Sequence, residues 1–260
     1  MKKSLLKIFI LFLFINHTVL ANETKERAGI IFAASNLKFV LPQLVYKFYK
    51  KYPWTSVHIQ YGASGTLTSY ILDDNSNYDI FFSADTFYPN KVYRAKKSAT
   101  KPKKYAQGFL ILVTPPNAHL KKEKLNVLKS PSIQHIDIAN KASAPYGKAA
   151  LEVLKKTPYF KDLKKKIYYS LDGATVISNV IWNKSAGFLP KSALHRLPNN
   201  KNTYSWIEID HNLYNPIIQS YVVSSKGLKN TNAMKFLEFF KSKIGQQIFE
   251  DYGYKYLITK

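Results

Sequence analysis

Two short polar segments could do chemistry without a charged side chain. Ala33-Ala34-Ser35-Asn36 follows the apolar run Gly29-Ile30-Ile31-Phe32, and Gly62-Ala63-Ser64-Gly65-Thr66 follows Val57-His58-Ile59-Gln60-Tyr61. Each puts small hydroxyl or amide residues where a strand should end and an amphipathic helix begin. The first N–H groups of a helix lack intrahelical acceptors, and the helix dipole adds partial positive charge at that end. Two such junctions facing one crevice make an anion site that needs no lysine or arginine.

Other chemistries are poorly supported. Gly62-Ala63-Ser64-Gly65-Thr66 is not the Gly-x-Ser-x-Gly elbow of a serine hydrolase, because Thr66 holds its last place. His58, His119, His135, His195 and His211 have no metal-ligand spacing between them, and no Gly-Lys-Ser/Thr phosphate loop occurs. With no cysteine, the chain has no disulfide, thiolate nucleophile or N-terminal lipid-bearing Cys. Asp79 and Asp85 look catalytic in isolation, but at the ends of a short strand they read as fixing loop geometry. The expectation is a binding protein rather than an enzyme, with no cofactor; a hydrolase using Ser64 is the remote alternative.

The elements that must position the two segments alternate. Leu37, Leu41, Leu44 and Phe48 form one apolar stripe, predicting a helix over 37–52 with Asn36 as its N-cap and Pro53 as its stop. Strand 57–61, helix 66–72, strand 78–82 and a helix over 89–97 follow. A second series begins with strand 109–113 and continues through strand 136–139, a helix over 148–156, strand 167–170, helix 176–183 and a short strand at 187–190. An apolar strand at 217–223 precedes two closing helices, 231–241 and 245–252. This order implies mainly parallel sheets with a ligand crevice at the strands' C-terminal ends.

Met1-Lys2-Lys3, an apolar run from Leu5 to Ile15 broken by Lys7, and Val19-Leu20-Ala21 read as a signal peptide over 1–21, cleaved after Ala21. The apolar run is shorter than the roughly 20 residues of a membrane span. The expected product is exported and soluble. The formal charge is +23, from 39 basic and 16 acidic residues; losing Lys2, Lys3 and Lys7 with the leader leaves +20. The lysines are spread over loops and helix faces with no RNA-binding signature, so nucleic acid is not the expected partner. The charge can still steer anions to the crevice.

Six blocks carry a family resemblance: Phe-Ala-Ala-Ser-Asn-Leu (32–37), Ala-Ser-Gly-Thr-Leu (63–67), Asp-Ile-Phe-Phe-Ser-Ala-Asp (79–85), Ala-Pro-Tyr-Gly (144–147), Ala-Gly-Phe-Leu-Pro (186–190), and the C-terminal stretch from Phe236 through Gly-Gln-Gln-Ile-Phe to Tyr254. In this order, over nearly the whole mature chain, they resemble the periplasmic molybdate-binding proteins of ABC transporters. The resemblance implies an α/β, two-lobe, type II periplasmic binding protein, each lobe a mainly parallel sheet flanked by helices, with a two-strand hinge near Gln107–Leu112 and Gln219–Val223. It implies one lobe over 28–105 plus 224–260 and the other over 106–223. It implies a periplasmic monomer that captures molybdate, and tungstate, for the permease subunits of an inner-membrane importer. Binding of another anion, such as sulfate or a small carboxylate, is the alternative.

Carried over by position, the oxyanion contacts are Ser35 and Asn36 in the first loop and Ser64 in the second. Tyr146 and Ala174 act by backbone N–H in the other lobe. Where many family members carry a tyrosine, this chain has Pro190, which offers neither hydroxyl nor N–H. The residue types suit the ligand. Molybdate is a dianion that stays deprotonated at neutral pH and offers only acceptors, whereas protonated phosphate also wants an acceptor from its site.

Overall fold

The first apolar run forms an interior strand of a sheet, buried on both faces: Ile31 and Ala33 point into one core while Phe32 points into another on the opposite face. This strand, β1 (Gly29–Ala34), is flanked in parallel by β2 (Val57–Gly62) and β3 (Ile80–Ser83). The computed structural model describes residues 27–73, 76–171, 173–183, 185–198 and 203–258. The expected leader and its cleavage point lie outside these residues. Among the described residues, no helix is long and apolar enough to cross a membrane.

After β1 the chain does not enter a long helix at once. Ser35–Lys38 is a 3-10 turn, and α1 covers Leu41–Lys51. Pro42 is the cause: it has no N–H to give the carbonyl of Lys38, and its ring would clash with that carbonyl. The proline therefore sits at the helix start, where it is tolerated. The predicted stripe is otherwise intact, with Leu37, Leu41, Leu44 and Phe48 all fully buried. Asn36 is thus not the cap of this helix. Then come α2 (Ser64–Leu72) between β2 and β3, and α3 (Phe87–Arg94) after β3.

β4 (Lys103–Gly108) stays in this first sheet, while β5 (Leu110–Thr114) enters a second; the chain crosses at Phe109. The second sheet is completed by β6 (Ile136–Ala139), β7 (Ile167–Ser170), β8 (Ala186–Pro190) and β9 (Ser205–Glu208), ordered β7-β6-β8-β5-β9. Its helices include α4 (Leu120–Glu123), α5 (Pro145–Lys155), α6 (Phe160–Leu163) and α7 (Gly173–Trp182). The chain returns between residues 209 and 216, earlier than the expected crossing at 219–223, because β10 (Ile217–Val223) already pairs with β3 and β4. The C-terminal α8 (Thr231–Lys241), α9 (Lys243–Asp251) and β11 (Lys255–Tyr256) close the first sheet, ordered β11-β4-β10-β3-β1-β2.

Both sheets are mixed rather than mainly parallel. The parallel pairings are β2-β1-β3 and β7-β6-β8; the antiparallel ones involve β4, β5, β9, β10 and β11. The sequence pattern signalled the βαβ units, whose crossover helices enforce parallel strands. It signalled β5 and β10 as strands, but not β4, nor that the strands next to the crossings pair antiparallel with their neighbours. Each lobe keeps its own apolar core. In the first, Phe48 meets Phe236 edge-to-face at 5.3 Å and Phe82 lies 4.5 Å from Phe240. In the second, Ile136 and Ile138 face α5, while Val176 and Val180 of α7 pack on the other side with Ile111 and Leu189.

Candidate functional site

The C-terminal ends of the two parallel triplets face each other. Between them lies a cavity of about 40 Å³. One wall is Ala34, Ser35, Asn36, Ala63, Ser64 and Ala84, from the ends of β1, β2 and β3. The other includes Ala144, Pro145, Tyr146, Val176, Phe188 and Pro190. None of the residues lining it is charged. One water needs roughly 10–15 Å³ of such space, so the cavity takes about three or four water-sized atoms. That fits a small ion and excludes a sugar or a peptide.

Four of the five expected residues meet at this cavity. Ser35 opens the 3-10 turn after β1. Ser64 is the first residue of α2, is 1 % exposed, and does not cap the helix. Its Oγ instead accepts the N–H of Ala84 at 3.0 Å. With its oxygen committed to that backbone, its proton is available to an acceptor in the cavity. Tyr146 is the second residue of α5, after Pro145, so its N–H is one of the helix's unpaired donors. Its ring turns away into the interior. Ala174 lies in the first turn of α7, the helix whose Val176 lines the cavity.

Asn36 is more constrained than its position suggested. It is 6 % exposed, and its Nδ2 donates to Gln219 Oε1 and to Tyr254 Oη, each at 3.0 Å. Its Oδ1 is buried without a partner. Gln219 links further: its Oε1 accepts from Tyr105 Oη at 2.7 Å, and its Nε2 donates to Tyr146 Oη at 3.2 Å. Tyr254 also bonds Ser192 at 3.0 Å. Burial pushes the phenol pKa values of Tyr105 and Tyr146 well above the ordinary value, and that of Tyr254 up to about 12. All three stay protonated at neutral pH. Motif reading assigns none of Gln219, Tyr105 and Tyr254 to the site. The available signals were a glutamine in the apolar run Ile217–Val223 and the place of Tyr254 at the end of the C-terminal block.

The lobes touch directly beside the cavity. Gly65 N–H donates to the carbonyl of Ser143 at 2.9 Å, and Tyr88 Oη donates to that of Ala142 at 2.9 Å. On another side, His195 stacks on Tyr252 with ring centroids 3.9 Å apart. The molecule is closed around a small volume.

The two aspartates are structural. Asp79 takes a two-pronged ion pair from Arg27, at 2.6 and 2.7 Å, and the N–H of Ile30 at 2.8 Å. Asp85 accepts from Ser83 Oγ at 3.0 Å and from the N–H of Tyr88 at 3.1 Å, so it shapes the turn into α3. Burial raises the Asp85 pKa, a shift partly opposed by those hydrogen bonds. Neither residue lines the cavity.

A model of bacterial extracellular solute-binding proteins matches residues 30–255. The chain belongs to that family. As a solute-binding protein it is not an enzyme, and the hydrolase reading of Ser64 is set aside. It is 29% identical to the molybdate-binding protein ModA of Rhodobacter capsulatus over 202 residues, 76% of this chain and 77% of that one. It is 27% identical to ModA of Azotobacter vinelandii over 199 residues, 75% and 77% of the two chains. The solved periplasmic molybdate-binding protein of Azotobacter vinelandii superposes with a TM-score of 0.76 at 26% identity, covering 89% of this chain and 100% of that one. The solute-binding protein therefore has the two-lobe, type II fold.

Proposed function

We propose that this solute-binding protein captures molybdate, and tungstate, between its lobes and delivers it to an ABC importer in the inner membrane. The observation that carries the reading is the small uncharged cavity at the facing strand ends, where two strand-to-helix junctions of the first lobe meet two helix starts of the second. A fully deprotonated tetrahedral dianion accepts hydrogen bonds from every side, and neutral donors hold it without a permanent countercharge. The names of the relatives point to the same ligand.

In this reading Ser35, Asn36 and Ser64 contact the oxyanion from the first lobe, and the N–H groups of Tyr146 and Ala174 contact it from the second. The lobes in this reading divide at the sheet boundaries, about 28–108 plus 217–260 and 109–216, a few residues from the 28–105 plus 224–260 and 106–223 that the resemblance implied. The mature protein is a periplasmic monomer released by cleavage after Ala21. Calorimetry on the mature chain with molybdate, tungstate, sulfate and phosphate tests the ligand. One-to-one binding of the two larger oxyanions, with sulfate and phosphate much weaker, is expected. No heat from either molybdate or tungstate at micromolar protein and low salt would overturn the reading.

A further inference from the structure

The resemblance leaves one donor missing at Pro190, and the buried amides of Asn36 and Gln219 hold the means to replace it. In the sense described above, Asn36 sends both protons of Nδ2 inward, to Gln219 Oε1 and Tyr254 Oη. What remains at its other end is Oδ1, buried and unpaired, on a residue that lines the cavity. An unpaired acceptor is the wrong group to present to an oxyanion, which offers only acceptors.

An amide fills the same space in either sense. Half a turn of both amides leaves every heavy-atom position occupied and changes only which groups donate. Gln219 Nε2 then donates to Asn36 Oδ1 across the same 3.0 Å and to Tyr105 Oη across 2.7 Å. Tyr105 passes its own proton to the carbonyl of Ser83, 3.1 Å away. Gln219 Oε1 accepts from Tyr146 Oη across 3.2 Å. Tyr254 donates to Asn36 Oδ1 across 3.0 Å and accepts from Ser192 Oγ. Each of these acceptors is then satisfied and each phenolic proton placed. Asn36 Nδ2 is then the group without a protein partner, on a residue that lines the cavity.

We propose that Gln219 is a positioning residue that turns over together with Asn36 when the oxyanion binds, so that Asn36 Nδ2 supplies a donor in place of the missing tyrosine. The proposal rests on the oxyanion reading above. The backbone favours it. The register between β10 and β4 slips at Gln219/Ser220, with Gln219 opposing Ala106 and Ser220 opposing Lys104, so Tyr105 has no opposite residue on β10. Such a bulge re-aims side chains, and here Tyr105 and Gln219 meet head-on. Gly108 gives the network its room: a Cβ there would fall 2.7 Å from Gln219 Nε2 and on top of Tyr146 Oη. Because Gln219 lies on a strand next to the inter-lobe crossings and Tyr146 belongs to the second lobe, the state of the amides is tied to closure.

The test is a proton–nitrogen spectrum of the side-chain amides in the mature protein, with asparagine and glutamine labelled selectively. It is recorded before and after saturation with molybdate, on a sample whose binding heat is measured in parallel. The expected result is a joint shift of the Asn36 and Gln219 amide pairs. Gln219→Leu, which removes the coupling but not the Asn36 donor, should weaken binding about three- to tenfold while the Asn36 pair still responds. Measurable binding heat with an unmoved Gln219 pair would overturn the proposal and leave the oxyanion reading intact. Absence of heat with molybdate, tungstate, sulfate and phosphate would overturn both.

Discussion

Gly65 and Ser143 are joined across the inter-lobe cleft by one hydrogen bond, from the N–H at the start of α2 to the carbonyl just before α5. One of the helix-start donors that the sequence assigned to the anion is therefore spent on holding the lobes together. The contact is close enough to exclude a side chain. A Cβ at Gly65 would lie 2.7 Å from Tyr88 Oη and 2.9 Å from Ser143 Cα.

Gly65→Ala should therefore disfavour the closed form while leaving each lobe folded. Overpacking of this kind costs about 1–3 kcal/mol, which lowers the closed population, and with it ligand affinity, by roughly ten- to a hundredfold. Thermal stability without ligand should hold or rise slightly, since alanine is the better helix former. Small-angle scattering with saturating molybdate should give a smaller radius of gyration for the parent and a lesser contraction for the variant. Equal contraction in both would remove Gly65 from the closing contact.

Ser64→Ala should lower affinity by about ten- to a hundredfold, because a hydrogen bond to a charged group contributes about 1.5–3 kcal/mol. From sequence alone the unliganded stability should be untouched. The structure alters that expectation: the same Oγ accepts the Ala84 N–H, which the substitution leaves buried and unpaired. The variant should also unfold about 1–3 kcal/mol more easily in urea without ligand. Loss of affinity with unchanged stability would mean that Ala84 finds another acceptor.

The buried phenols predict alkaline sensitivity. Tyr254 is pushed up to about 12, above the ordinary value of 10.0, mainly by burial. Its raised folded pKa makes a stabilising contribution that is complete below pH 10 and is lost as pH rises from 10 through 12, where the unfolded chain ionises first. This group alone costs about 1.4 kcal/mol per pH unit in that window. Urea unfolding at pH 9, 10 and 11 measures it, and Tyr254→Phe should lessen the slope.

Arg27 anchors the start of the described chain. Its partner Asp79 has a fully buried side chain, while its own is 42% exposed. Arg27→Ala should destabilise by about 1–3 kcal/mol, discounted for the solvent-screened guanidinium. Adding Asp79→Asn should recover part of the loss, because the unpaired buried charge is gone. A double variant no better than Arg27→Ala would show that the cost lies elsewhere.

What the sequence by itself determined was local and periodic. The stripe of Leu37, Leu41, Leu44 and Phe48 fixed a buried helix face, and small residues after apolar runs marked the junctions at Ser35 and Ser64. The motif order named the family before any contact was known. Pro42 also carried its message, although the helix begins later than the stripe suggested. The tertiary structure decided what depends on distant segments meeting. The strands β4, β9 and β11 have weak patterns of their own and exist because a neighbour supplies their hydrogen bonds. Asn36 reads as a helix cap in sequence, yet its amide is held by Gln219 and Tyr254, residues 183 and 218 positions away. Ser64 reads as a ligand and is also the support of Ala84. A residue's type limits which bonds it can make; only the fold, by bringing remote donors and acceptors within 3 Å in a dry interior, selects which of them it does make.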